Sequence, residues 1–276
     1  MRISVAITCV LLAAYILLDN RNTDREPPVI TVSDQMLCVS VSEPEENLLQ
    51  GVTARDSRDG DVTDGLMIEN IYGITEDGSA TVIYAAFDRE GNVSKTERTI
   101  QYTDYVRPRI LLTGPLLFEY GSDFDVLDSM KATDLFEGDI TRRIKATMLT
   151  SGASVGEAGM HQVQFRVTNR MGDTFSLILP VEVFQAGSYN GQLELTQYLI
   201  YLPVGAEFDP ESYPACLYAG GQEWRLTGNG EEVALTISGD VDTDTSGVYP
   251  VTYTATAEQN GVRYSGRSRL IVVVEE

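Results

Sequence analysis

The chain has 276 residues, 43% hydrophobic and 22% charged, which is ordinary for a globular protein and excludes wholesale disorder. Its 41 acidic and 20 basic side chains leave a formal charge of −21. No basic run interrupts that charge, which argues against a nucleic-acid partner, because phosphate binding needs clustered Lys and Arg. The length suits two or three domains.

The chain opens on an uncharged apolar stretch, residues 3–18, between Arg2 and the polar group Asp19, Asn20 and Arg21. That is a little short of the ~20 residues of a spanning helix, near the lower edge of the range. No Ala-x-Ala cleavage signal follows. Cys9 sits in mid-segment after Ala6-Ile7-Thr8, not at its end as lipidation would want. The expectation is an uncleaved N-terminal transmembrane helix and short linker over 1–26. It makes a single-pass cell-membrane protein with residues from about 19 to 276 extracellular. Cleavage and secretion is the alternative.

From Pro27 onward the grammar is that of all-β structure: short alternating runs at 8–12-residue spacing, punctuated by Gly, Asp, Asn and Pro. Strands are expected over 81–87, 162–167, 249–257 and 269–274, and no persuasive helical period occurs outside the N-terminal stretch. The chain also repeats itself. Residues 53–63 align with 131–141, both keeping Ala-x-Asp-x-x-acidic-Gly-Asp-aliphatic-Thr. Residues 84–91 parallel 165–172. A third copy keeps Gly247-Val248-Tyr249-Pro250-Val251-Thr252-Tyr253-Thr254-Ala255 and a closing strand, but has no Asp-Gly-Asp turn.

These residues, with the opening strand Pro28-Val29-Ile30-Thr31, resemble the bacterial Ig-like domain family found in tandem on cell-surface proteins and in some insecticidal crystal toxins. The resemblance covers 27–104 nearly throughout, 105–185 moderately, and 186–276 only in its last third. It implies three tandem immunoglobulin-like β-sandwich domains behind the transmembrane helix. Domain 1 is 27–104, domain 2 is 105–185, and 186–276 is a divergent domain 3, joined by brief linkers that suggest a semi-rigid rod. Such a fold hosts many activities.

The acidic turns are the first candidate site. Asp56, Asp59, Asp61 and Asp88 are possible Ca²⁺ ligands, since that ion takes six to eight oxygens. Asp134, Glu137, Asp139 and Asn169 are their counterparts in domain 2. The competing reading is that these residues shape turns and cap strand ends. No other cofactor is implied. Catalysis is not expected: His161 is the only histidine, so a nucleophilic triad has one possible base, and an exposed edge position is expected for it. Histidine-rich and cysteine-rich metal centres are excluded by count. Cys38 and Cys216 fall in different domains, so no disulfide is expected, which is compatible with an exported protein of a Gram-positive bacterium.

Domain 3 holds the only tryptophan, Trp224, and eight of the 14 tyrosines. Trp224 and Tyr218 flank Gly220-Gly221-Gln222-Glu223, a loop or hairpin where exposure is expected, and they are the candidate ligand-binding residues. Tyr249 and Tyr253 are assigned to the core. The functional expectation is a non-enzymatic surface protein, part stalk and part adhesion module, for a glycan or protein at the cell surface. A purely structural spacer or assembly subunit is the alternative, and an accessory subunit of a membrane complex a weaker one.

Overall fold

A computed structural model describes residues 12–14, 24–33, 36–149, 157–226 and 233–276. Residues 12–14 are helical, and the rest of the apolar stretch on which the anchor expectation falls lies outside the described residues. Among the described residues no helix is long and apolar enough to cross a membrane.

Apart from that turn of helix and five short 3₁₀ turns, the described elements are strands. The first seven are β1 (Val29–Val32), β2 (Leu37–Val39), β3 (Val52–Asp56), β4 (Gly60–Asp61), β5 (Met67–Tyr72), β6 (Ser79–Phe87) and β7 (Val93–Tyr102). They form a three-stranded sheet, β1-β3-β4, and a four-stranded sheet, β2-β7-β6-β5, in which β2 lies parallel to β7. The next seven are β8 (Arg109–Leu112), β9 (Leu117–Glu119), β10 (Met130–Asp134), β11 (Gly138–Asp139), β12 (Lys145–Met148), β13 (Gly159–Thr168) and β14 (Thr174–Phe184). They repeat the plan as β8-β10-β11 and β9-β14-β13-β12, again with a parallel β9–β14 pair. The last seven are β15 (Gly191–Leu195), β16 (Leu199–Pro203), β17 (Pro214–Ala219), β18 (Gln222–Arg225), β19 (Val233–Ser238), β20 (Gly247–Gln259) and β21 (Val262–Glu275). They repeat it once more, as β15-β17-β18 and β16-β21-β20-β19 with β16 parallel to β21. The last third of the chain thus keeps the strand plan even where its sequence has drifted from the repeat.

Local causes are legible. In β3 and β10 every second residue is buried, the period that turns one face of a strand inward. Each strand then ends on an Asp and turns through a glycine, Gly60 at φ 79° and Gly138 at φ 70°, a conformation that side chains with a Cβ disfavour. Tyr84, Phe165 and Tyr253 stand at equivalent points of β6, β13 and β20 and are fully buried. The two tyrosine hydroxyls donate to main-chain carbonyls, Leu48 O at 2.7 Å and Pro210 O at 2.9 Å, which satisfies a polar group that burial would otherwise leave costly.

Two compact units emerge. One comprises residues 1–106 with 170–173, the other 107–169 with 174–276. In the second unit the second and third sandwiches share a core. Leu199, Ile271 and Val273 pack with Ile110, Val163, Phe165 and Leu179. Their neighbours Ile200, Leu270, Val272 and Val274 pack instead with Leu193, Leu217 and Tyr253. Strand β21 is therefore apolar on both faces, which explains its unbroken Leu270-Ile271-Val272-Val273-Val274 run. Polar contacts border this seam. Arg109 forks onto Glu275 at 2.6 and 2.7 Å, Tyr201 donates to Ile110 O at 2.7 Å, and Glu182 accepts from both Arg267 and Arg269.

Candidate functional site

At one end of the first sandwich the main chain gathers its acidic residues. Asp56 closes β3, and its Oδ1 accepts the N–H groups of Arg58 (2.7 Å) and Asp59 (2.8 Å). Those bonds, the one from Asp59 foremost, hold its carboxyl below the usual carboxylate range. Asp88 begins the β6–β7 hairpin, its Oδ1 taking the Asn92 N–H (2.7 Å) and its Oδ2 the Asn92 side-chain amide (2.6 Å). Both aspartates are buried. The other two candidates serve turns: Asp59 accepts the Arg89 N–H at 2.9 Å, and exposed Asp61 accepts that of Thr63 at 3.0 Å.

Two further carboxylates join them. Asp24, 4% exposed, takes the Glu26 N–H on Oδ1, while its carbonyl accepts the Asn92 amide at 3.1 Å. Its Oδ2 makes no hydrogen bond but lies 3.4 Å from Arg58 Nε. One carboxylate oxygen from each of Asp24, Asp88 and exposed Glu90 lies within 4.8 Å of the other two. Sequence spacing had no means of finding Asp24, which sits 64 residues ahead of Asp88. Glu90 lies within the repeated stretch 84–91, which by itself carried no sign of a ligand.

In the second sandwich the corresponding residues are occupied with one another. Asp134 Oδ1 accepts the N–H groups of Phe136 and Glu137, and its Oδ2 takes the Asn169 amide at 3.0 Å. Asp139 accepts the Thr141 N–H at 2.9 Å, and Glu137 pairs with Arg143.

The third sandwich corrects one expectation about its aromatic residues. Trp224 is only 7% exposed and packs in the core with Leu217 and Tyr253, its ring 5.6 Å from that of Tyr264. Pairing explains this: Trp224 lies opposite fully buried Leu217, whereas Tyr218 lies opposite Glu223. Alternation sends the first pair inward and the second outward, so Trp224 and Tyr218 do not share a face. Tyr218 is 38% exposed, and the Cys216 thiol beside its hydroxyl helps push its pKa up to about 12. Tyr253 is core and Tyr249 is packed at its border. His161 is likewise not an exposed edge residue. It is 4% exposed, on the same inward face of β13 as Val163, Phe165 and Val167, with Nε2 2.7 Å from Glu157 O. Cys38 and Cys216 are unpaired thiols.

A basic feature was missed. Arg142, Arg143, Lys145 and Arg166 line a pocket of about 370 Å³ with Thr168. Lys145 stands directly across from Arg166 in the β12–β13 ladder. Arg143 is paired with Glu137, but Arg142, Lys145 and Arg166 have no ion pair among the described residues. The signal was Arg142-Arg143-Ile144-Lys145, a short basic run hidden by the total charge.

Comparison with families of known proteins gives no match. Among curated proteins, the chain is 29% identical over 152 residues to pesticidal crystal protein Cry22Aa of Bacillus thuringiensis. That stretch covers 51% of this chain and only 20% of the relative. Solved structures with some likeness include Drosophila N-cadherin EC1-4, at 15% identity over 91% of this chain and 76% of that one, TM-score 0.23. Another is the CBM51-2 and INT domain structure of Clostridium perfringens ZmpB, at 17% identity over 90% and 42%, TM-score 0.23. At such scores neither bears on what this chain does.

Proposed function

We propose that the chain is a non-enzymatic extracellular module in which tandem Ig-like sandwiches, anchored through the apolar stretch 3–18, present a binding surface for an anionic cell-surface glycan. The carrying observation is the cationic pocket. In a protein of charge −21, like charges set directly across a ladder oppose folding, and an anionic ligand would relieve them while fitting a pocket of this size. With Trp224 in the core, stacking on a neutral sugar loses its main residue. The spacer reading keeps one observation of its own, the core shared by the second and third sandwiches, which suits a load-bearing element.

The test is retention of the chain on immobilised carboxylated or sulfated polysaccharides beside neutral ones. Salt-sensitive retention on the anionic resins, lost in an Arg142→Ala, Lys145→Ala, Arg166→Ala variant, is expected. Retention on neutral resins alone would overturn the charge reading, and retention on none would favour the spacer. Accessibility of the chain to protease added to intact cells tests its extracellular placement.

A further inference from the structure

We propose that the acidic end of the first sandwich is a Ca²⁺ site built from Asp24, Asp56, Asp88 and Glu90, independently of what the cationic pocket binds. Proximity of acidic groups alone would not carry this. The second sandwich provides the contrast, because it is the same frame with two of the four carboxylates replaced, by Asn169 and Met171. Asp56 and Asp134 are equivalent: each ends the strand before the Gly-Asp turn, and each accepts two turn N–H groups on Oδ1. Asp88 and Asn169 are equivalent as well, each following the last paired residue of its hairpin. In the second sandwich Asn169 turns its amide to Asp134 Oδ2. In the first, position 88 carries a carboxylate with no proton to give, and Asp56 Oδ2 is left buried with no hydrogen bond on a residue 3% exposed. Asp24, Asp88 and Glu90 form the three-carboxylate cluster, and the Asp134–Asn169 bond of the second sandwich marks position 56 as the neighbour of position 88, so Asp56 would complete the site as a fourth donor.

The remaining substitutions agree. Glu90 is matched by Met171, which has no oxygen to offer. Asp24 is matched by Asp104, whose two oxygens are taken by Ser40 and Val41. A buried carboxylate oxygen without a hydrogen bond is costly, and the first sandwich has two, Asp24 Oδ2 and Asp56 Oδ2, with half-exposed Arg58 Nε 3.4 Å from the former. A divalent cation answers this arrangement. The donors are all carboxylate oxygens with no nitrogen or sulfur among them, which suits a hard ion. They come from three separate stretches of chain, which suits the pliant six- to eight-oxygen sphere of Ca²⁺ better than the strict octahedron of Mg²⁺. Bound there, the ion would tie the segment entering β1 to the β3–β4 turn and the β6–β7 hairpin.

The experiment uses the full chain in mild detergent, stripped of metal and titrated with CaCl₂ by calorimetry, with thermal unfolding beside it. Binding with a Kd of about 0.1–1 mM is expected. At Ca²⁺ ten times the Kd, the unfolding of the first unit should rise by about 5–10 °C. Asp88→Asn should abolish both effects. Should that variant fail to fold, Glu90→Gln, at an exposed hairpin position, should still weaken binding with unchanged circular dichroism. Absence of binding to the wild-type chain, equal response to Mg²⁺, or wild-type affinity in the folded variants would each overturn the proposal.

Discussion

The side-chain amide of Asn169 donates to Oδ2 of Asp134 over 3.0 Å, joining the head of one hairpin to the end of a strand in the other sheet. Both residues are buried, so the bond replaces solvent that neither can reach. Asn169→Asp would take away the donor and set two carboxylates against each other, reproducing in the second sandwich the arrangement of the first. A loss of about 1–3 kcal/mol is expected from the orphaned acceptor, read from urea unfolding at neutral pH. Unchanged stability would show that the bond does not hold the two sheets.

Glu182 is the hub of the seam between the second and third sandwiches. It accepts from Arg267 at 2.6 Å and from Arg269, and Arg269 is 3% exposed. Burial pulls the Arg269 guanidinium below its usual range, while Glu182 opposes that shift. Glu182→Gln would leave a buried cation without its counter-charge, at a cost of about 3–5 kcal/mol. The unfolding transition of the second unit should shift accordingly, and salt should narrow the gap between variant and wild type only slightly, because buried pairs are poorly screened.

The turn aspartates give the protein an acid limit. Thr63 groups hold Asp61 below its ordinary pKa, and Thr141 groups do the same for Asp139. Depressed folded values mean that these carboxylates contribute stability fully above their unfolded pKa of about 3.9. The contribution is lost as pH falls through the lower folded values. The urea midpoint should therefore drop steeply below about pH 4, and Asp61→Asn with Asp139→Asn should flatten that drop. An equally steep profile in the double variant would assign acid sensitivity to other groups.

Trp224 offers a direct optical check, being the only tryptophan. Packed against Tyr264 and Leu217, it should emit at short wavelength and resist acrylamide quenching until the chain unfolds. Trp224→Ala should cost about 3–5 kcal/mol and leave glycan retention unchanged in whatever fraction stays folded. Strong quenching in the native protein would put the ring back on the surface.

What the sequence made legible follows from what repeats locally. Period-two alternation gave the strands over 81–87 and 162–167, and the turns Asp59-Gly60-Asp61 and Glu137-Gly138-Asp139 marked the β3–β4 and β10–β11 corners. The third copy lacks that turn, yet β15 to β21 take the same order because strand pairing rests on alternation, which survives there. The inward face of Trp224 needed the register of β18 on β17, and a loop-like Gly220-Gly221 suggested the opposite. The meeting of Asp24 with Asp88 and Glu90 depends on two distant segments arriving at one end of a sandwich, for which no spacing rule exists. Burial of His161 was available from its own strand: it shares parity with Val163, Phe165 and Val167, and its polarity masked the pattern.

Lys145 and Arg166 set stability against binding. They face each other across β12 and β13 with no carboxylate on either, and directly opposed like charges disfavour the pairing. Arg166→Ser removes the repulsion without disturbing the buried positions 165 and 167 on either side. The folded state should gain about 0.2–1 kcal/mol, most clearly at low salt, since screening already weakens the repulsion at high salt. The same change takes a cation from the pocket and should weaken retention on anionic glycans. A residue whose removal stabilises the fold while impairing binding is one that packing does not explain. If Arg166→Ser instead destabilises the protein and leaves retention intact, the pocket is a structural feature and the spacer reading gains.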